Sequence, residues 1–129
     1  MKITRAATYA IYAMVYIAQH KSEGARASHV IAQTYGIPER FLLKVLKPLV
    51  AAGLLHSVKG PRGGYQLARP ASQITLLEII EAVEGPIRGQ QMFLGRPQDP
   101  LEKKLGQALQ AAAEEACRKL NQIKLSQLL

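Results

Sequence analysis

The chain has 129 residues, of which 48% are hydrophobic and 5% aromatic, with no Trp. This length and apolar content favour one compact domain whose core is built mainly from helices. The single Cys excludes a disulfide framework and any metal site with several Cys ligands from one chain. No apolar run reaches the roughly 18 residues of a transmembrane helix, so we expect no membrane partner.

Positive charge is concentrated in the first part of the chain. Residues 1–70 contain ten Lys and Arg against two Glu, which gives this part a net charge of +8. Residues 71–129 contain seven charged residues of each sign. A basic part joined to a neutral part predicts a domain over residues 1–70 that meets a polyanion and a domain over residues 71–129 that meets protein. A solubilising charge with no partner is the alternative.

The first predicted helix covers residues 4–20, with Thr4 as its N-cap. Its apolar residues recur at helical spacing and form one stripe. Lys2 and the apolar residues after it also resemble a secretory signal. Three Tyr in the stretch and the lack of a clear small-residue cleavage site favour the first helix of a cytoplasmic domain instead.

Two further helices are predicted with a short turn between them. The first covers residues 28–35 and ends at Gly36, because Gly adopts the left-handed backbone conformation at little cost. The second covers residues 38–52, with Pro38 in its first turn, where the missing N–H is harmless. Two helices joined by a short turn that holds a Gly indicate a helix-turn-helix.

A β-hairpin is predicted directly after these helices. Residues 54–58 and 65–68 alternate like strands, and the glycine-rich turn 59–64 joins them. The turn lacks the following Lys-Ser/Thr and the strand-to-helix context of a phosphate-binding P-loop. We therefore predict a mainly α fold with a small β-wing, a winged helix-turn-helix DNA-binding domain.

A connector helix and a long C-terminal helix complete the prediction. Thr75 and Glu78 have the spacing of a capping box at the start of the connector helix. An irregular segment, residues 87–100, leads to a helix over residues 100–120. Little of the chain remains to cover its apolar stripe, so we expect a second copy to do so; folding back on the first helix is the alternative. The expected dimerisation residues are Leu101, Leu105, Leu109, Ala112, Ala116 and Leu120.

The start of the third helix is where a helix-turn-helix reaches base edges. Arg40 can donate hydrogen bonds to the O6 and N7 atoms of guanine. Glu39 either accepts a hydrogen bond from cytosine or offsets the helix dipole. Lys44 is expected on the DNA backbone or on a solvated face. The wing cations Lys59 and Arg62 are expected on phosphates or in the minor groove.

Candidate catalytic and metal-binding groups are few. The three His share no ligand spacing, and the sequence contains no Ser/His/Asp or Cys/His arrangement that we can argue. Cys117 is expected to be a buried thiol, with a redox role as the alternative. The sequence therefore predicts neither an enzyme nor a metal site.

The wing and the connector helix have a sequence that closely resembles one family of bacterial regulators. Residues 58–69 read VKGPRGGYQLAR and residues 74–86 read ITLLEIIEAVEGP, and both resemble the Rrf2 family of transcription regulators. Residues 2–10 and 125–129 also look like the family's, so the resemblance covers nearly the whole chain. It implies a homodimer, crossed through the long helix, on a palindromic operator. It also implies phosphate contacts by three residues, Thr4, Arg5 and Tyr9.

Many members of this family hold an iron–sulfur cluster on three Cys in the loop before the long helix. Here Met92 and Asp99 stand about where the first and last of those Cys would be. Without thiolates such a cluster has no ligands. We therefore expect a member without a cluster or another cofactor.

The sequence as a whole predicts a sequence-specific regulator, most simply a repressor, that binds double-stranded DNA as a homodimer. Its effector, a small molecule or a protein, is left open. The alternative is a winged-helix module that binds protein and attracts DNA only non-specifically. The residues expected to contact DNA are Thr4, Arg5, Tyr9, Pro38, Glu39, Arg40, Lys44, Lys59 and Arg62.

Overall fold

The computed structural model describes residues 2–88 and 99–129, and these contain five α-helices and one two-stranded antiparallel sheet. The helices are α1 (Arg5–Gln19), α2 (Ser28–Tyr35), α3 (Glu39–Ala51), α4 (Leu76–Glu84) and α5 (Pro100–Gln122). The strands are β1 (Leu55–Val58) and β2 (Gly64–Leu67), with Leu55 opposite Leu67 and Val58 opposite Gly64. This order confirms the predicted mainly α fold with a small wing, which we define as residues 55–67.

The main core lies where α1, α2 and α3 meet. Ala10 and Ala13 of α1 are fully buried, and their small side chains leave room for the neighbouring helices. Leu42 and Leu46 of α3, which are also fully buried, belong to the same cluster. Gly36 ends α2 with a φ of 67°, as predicted, so the chain turns directly into α3. We call α1, α2, α3 and the wing the head.

The last residues of the chain return to the start of α4. Thr75 and Glu78 form the predicted capping box, with hydrogen bonds of 3.0 and 3.1 Å. At the same place the Leu125 N–H donates to the Ile74 carbonyl and the Leu76 N–H donates to a carbonyl near the chain end, both at 2.8 Å. Leu125 is fully buried in the main core. The chain end is therefore part of the packed structure, which the sequence did not predict.

Two leucines in the N-terminal half of α5 are exposed. Asp99 caps the helix by accepting the Leu101 N–H at 2.8 Å, so the residue near a family ligand position has a structural role here. Leu101 is 70% exposed and Leu105 is 45% exposed. Met92, which was compared with the first Cys ligand, lies outside the described residues.

The C-terminal end of α5 packs on its own chain. Leu120 is buried in a second apolar cluster with Ala7 of α1 and Ile80 of α4. Its predicted place in a dimer interface is therefore wrong, because helical spacing identifies an apolar face but not the neighbour that covers it. The rest of the predicted stripe divides into exposed residues, Leu101, Leu105 and Ala112, and half-buried residues, Leu109 and Ala116.

Helix α5 contacts mainly α4, so it does not fold back along α1. In residues 2–88 and 99–129, none of the helices combines the length and the apolar character needed to cross a membrane.

Candidate nucleic-acid interface

The N-terminus of α1 presents an exposed cation and, one turn later, a half-buried aromatic ring. These are Arg5 and Tyr9. Thr4 caps the helix: its Oγ1 accepts the Ala7 N–H at 3.1 Å, and its hydroxyl donates to the Glu84 carboxylate. The Thr4 hydroxyl thus already has partners within the chain. Of the three residues expected on phosphate, Arg5 is the most exposed.

Three exposed cations form a ridge along α3. Arg40, Lys44 and Lys47 are spaced three and four residues apart, so they lie on one side of the helix. The Arg40 guanidinium carbon lies 4.9 Å from the centre of the Phe41 ring, and the Lys44 ammonium lies 5.6 Å from it. Attraction to the ring face restricts both cations before any DNA is bound. The sequence analysis missed this role of Phe41.

A groove of about 250 Å³ joins the start of α1 to α3. Its walls include Arg5 and Tyr9 from α1 and Phe41 and Lys44 from α3. Most of its surface is apolar, and one cation comes from each helix. A deoxyribose and its phosphate present the same combination of apolar and anionic groups. The structure thus brings together Arg5, Tyr9 and Lys44, which the sequence predicted separately.

The residues at the beginning of α3 have partners that the sequence did not reveal. The helix begins at Glu39, so Pro38 is its N-cap rather than part of its first turn. Glu39 Oε1 accepts a hydrogen bond of 2.8 Å from the Ser28 hydroxyl at the start of α2. This bond fixes the two helices of the helix-turn-helix to each other. The predicted contacts of Pro38 and Glu39 with DNA stay predictions.

The wing tip carries two exposed cations, Lys59 and Arg62, on a tight turn. The Gly63 N–H donates to the Gly60 carbonyl at 2.9 Å and closes the turn. A Cβ atom on Gly63 would lie 2.2 Å from the Val58 carbonyl oxygen, so the turn excludes any larger residue there. The glycines therefore hold the two cations at the end of a narrow hairpin.

A backbone bridge anchors the wing to the head. Arg26 and Tyr65 exchange two backbone hydrogen bonds of 2.9 Å, so the segment before α2 pairs with β2. Gly64 makes this approach possible, because a Cβ atom there would lie 2.3 Å from the Arg26 carbonyl oxygen. The sequence analysis did not predict the bridge. Gly64 was the available signal, since Gly within a strand often marks close backbone approach.

An ion pair connects the segment after the wing to α4. Arg69 donates to a Glu78 carboxylate oxygen at 2.5 Å and to the Gln73 carbonyl at 3.1 Å. Burial alone would raise the pKa of Glu78, but hydrogen bonds from Arg69 and Thr75, together with the Arg69 charge, lower that pKa below its ordinary value. The ionised carboxylate therefore holds the segment after the wing against α4 at neutral pH.

A family model described as Rrf2, iron-dependent transcriptional regulator, matches residues 3–129. The chain belongs to the Rrf2 family. It is a DNA-binding transcriptional regulator, and its relatives CymR and IscR are named as transcriptional regulators rather than enzymes.

Relatives within the Rrf2 family differ in how much of their length they share with this chain. The regulator CymR of Bacillus subtilis is 32% identical over 115 residues, which cover 89% of this chain and 82% of CymR. Protein aau3 of Rhizobium meliloti is 40% identical over 84 residues, 65% of this chain and 54% of aau3. IscR of Photorhabdus laumondii is 38% identical over 84 residues, 65% of this chain and 51% of IscR. The matched part thus spans about half of the latter two proteins.

Solved structures of Rrf2 regulators have the same overall fold. CymR, described as the global cysteine regulator of B. subtilis, has a TM-score of 0.79 at 30% identity, covering 99% of this chain and 95% of CymR. IscR of T. potens has a TM-score of 0.73 at 29% identity, covering 99% of this chain and 85% of IscR. The likeness therefore extends from α1 to the chain end.

The family description names iron, but the residues of this chain do not fit an iron–sulfur cluster. The sequence contains one Cys, whereas such clusters are held by several thiolates. Cys117 is half-buried rather than fully buried in α5, and its Sγ lies 3.9 Å from the Ile87 carbonyl oxygen. Within the described ranges, no three His, Cys, Asp or Glu side chains are grouped so that they could hold a metal ion.

Proposed function

We propose that this Rrf2 regulator is a cytoplasmic, homodimeric repressor that reads a palindromic operator without an iron–sulfur cluster. In this proposal the head binds DNA, and the exposed part of α5 joins two copies. An effector, either a small molecule or a protein, would act by changing how the two heads are held.

The arrangement of exposed cations around α3 carries the proposal. The ridge on α3 lies between the start of α1 on one side and the wing on the other. Such an arrangement fits a recognition helix in the major groove, with flanking contacts to the two adjacent backbones. The cations assigned to this surface are Arg5, Arg40, Lys44, Lys47, Lys59 and Arg62.

The exposed leucines of α5 support the dimer. Leu101 and Leu105 lie four residues apart on one side of the helix and are too exposed to be explained by packing against the described residues. A two-fold dimer would place two heads on an inverted repeat, with half-site centres about 34–36 Å apart or a multiple of that distance.

Selection of bound DNA from a random pool tests the proposal. The full chain, purified without added iron, is mixed with the pool at near-physiological salt, and the visible spectrum of the protein is recorded. The expected result is an enriched inverted repeat bound by a colourless protein. A pool without an enriched motif, with binding that disappears as salt rises, would contradict the proposal, because phosphate attraction alone would explain it.

Two variants with the same change of charge make the test specific. Arg40→Glu should abolish enrichment of the motif. Lys103→Glu, on the side of α5 opposite Leu101, should leave enrichment unchanged. Equal losses in the two variants would mean that net charge rather than the surface of the head drives binding.

The rival hypothesis, a protein-interaction module with non-specific DNA attraction, is not favoured. CymR, which matches over 89% of this chain, is named as a transcriptional regulator. The same selection separates the two hypotheses, since the rival predicts no motif at any salt concentration.

A further inference from the structure

One leucine on the recognition helix is exposed rather than buried. Leu43 of α3 is 42% exposed, although α3 buries its other leucines completely. Covering the exposed part of this apolar side chain with an apolar group of a partner would be favourable in water. Leu43 is therefore available for a contact that the free chain does not make.

Leu43 lies on the same side of α3 as two cations of the ridge. Arg40 precedes it by three residues and Lys47 follows it by four, which is the spacing of neighbours on one helix face. Phe41, the other exposed apolar residue of α3, differs because Arg40 and Lys44 lie against its ring. Leu43 thus presents an apolar surface to the same polyanion that the cations attract.

The surroundings of Leu43 extend toward the wing. With Lys47 and Val50 of α3 it lines a groove of about 490 Å³, whose other wall includes Ser57 of β1 and Tyr65 of β2. The anchored hairpin holds this groove open beside α3. An occupant must present anionic groups to Lys47 and an apolar group to Leu43.

We propose that Leu43 contacts the 5-methyl group of thymine in each operator half-site and thereby contributes to sequence specificity. This inference rests on the proposed function, since it assigns a role to one residue of the same surface. The thymine methyl is the apolar group that base edges present in the major groove, and aliphatic side chains discriminate by contacting it. It lies next to the phosphates that the ridge would bind.

Replacing thymine by deoxyuridine in the selected operator tests the inference, because this removes the methyl group and keeps every hydrogen-bonding atom. Each thymine is replaced in both half-sites at once, and affinity is measured at fixed salt. We expect one thymine position at which the wild-type chain binds roughly tenfold more weakly, from the loss of two buried methyl contacts. Leu43→Ala should bind the thymine and deoxyuridine forms of that site equally.

Two further variants make the outcome decisive. Leu43→Met keeps an apolar side chain and should retain the preference for thymine. Leu128→Ala removes a leucine of matched exposure, 41%, from the chain end and should also retain it. If no deoxyuridine substitution weakens wild-type binding, or if Leu43→Ala keeps the preference, the inference is overturned while the proposed function stands. If the selection yields no operator, the proposed function itself fails.

Discussion

The head and α5 expose opposite kinds of side chain. In the head, the large apolar side chains of the described residues are buried or half-buried, apart from Tyr12, Phe41 and Leu43, and the charged side chains exposed along the outer side of α3 are cations. In α5 the first two leucines are exposed, and side chains of both signs occur along the helix. The difference indicates two kinds of partner: a polyanion for the head and an apolar surface for α5.

The two kinds of contact respond differently to salt. Binding of cations to phosphates weakens steeply as salt rises, because the release of condensed counterions into a more concentrated solution is less favourable. Apolar contacts between copies of α5 depend on burial of surface and persist at high salt. The comparison can therefore be tested separately in each region.

Charge reversal in the head should have the largest effect. In the double variant Arg40→Glu/Lys59→Glu, two attractive contacts become repulsive, and we expect operator affinity to fall by about 100-fold or more. Fluorescence anisotropy with labelled operator measures the loss. Both residues are exposed, so the fold should be unchanged by circular dichroism.

The matched control for this variant is Lys103→Glu combined with Lys119→Glu on α5. The control and the head double variant lower the net charge by the same amount. The operator affinity of the control should nevertheless fall only slightly. A comparable loss from the control pair would show that the head has no special role.

Acidic substitutions in α5 should separate the two copies. Leu101→Glu/Leu105→Glu places charges where apolar contact is proposed, and we expect the dimer dissociation constant to rise by about 100-fold. Acidic residues near a helix N-terminus favour the helix, so loss of the dimer would not reflect unfolding. Sedimentation equilibrium at several protein concentrations measures the change.

Substitutions on the other side of α5 provide the comparison. Lys103→Glu/Gln107→Glu should leave the dimer intact. A monomeric wild-type chain, or a double leucine variant that sediments like the wild type, would contradict the role of α5.

Loss of Gly64 should destabilise the anchored wing. Gly64→Ala would place a Cβ atom 2.3 Å from the Arg26 carbonyl oxygen, and the residue has a φ of 144°. We expect the free energy of unfolding to fall by about 1–3 kcal/mol. Gly60→Ala, where φ is 103° but a Cβ would meet open space, should cost less in the same urea titration. Equal costs would mean that the bridge does not determine wing stability.

The smallest expected effect concerns the ion pair beside the wing. Because the pKa of Glu78 is lowered in the folded chain, its contribution to stability is present above the ordinary value of 4.5 and is lost as pH falls through the folded-state pKa. Glu78→Gln should therefore be less stable than wild type at neutral pH, with a difference that shrinks in acid. Urea titrations over this pH range measure it, and Glu114→Gln controls for removal of one carboxylate. A difference independent of pH would contradict the ion-pair explanation.

Features that depend on neighbouring residues in the sequence could be predicted well. The capping box of Thr75 and Glu78, the turn at Gly36 and the glycine-rich wing each need only a few adjacent residues to be recognised. The helices followed from apolar spacing for the same reason. The limits of α3 and of the strands differed from the prediction by at most one residue.

Contacts between distant segments could not be predicted. The bridge between Arg26 and Tyr65 and the bond of Ser28 to Glu39 join residues whose pairing leaves no periodic pattern in the sequence. Leu120 shows the same limit, since its place in an apolar stripe did not reveal that Ala7 and Ile80 cover it. The individual DNA contacts remain predictions, because they depend on a partner outside the chain.

The number of chains bound to one operator tests the central claim most directly. Sedimentation equilibrium of the complex, with either the full inverted repeat or a single half-site, gives this number from the added mass. The account predicts two 14.1 kDa chains on the full repeat, held together by α5. In the double leucine variant, the two chains should no longer bind the repeat as a pair. One chain bound to the full repeat with undiminished affinity would contradict the division of function between the head and α5.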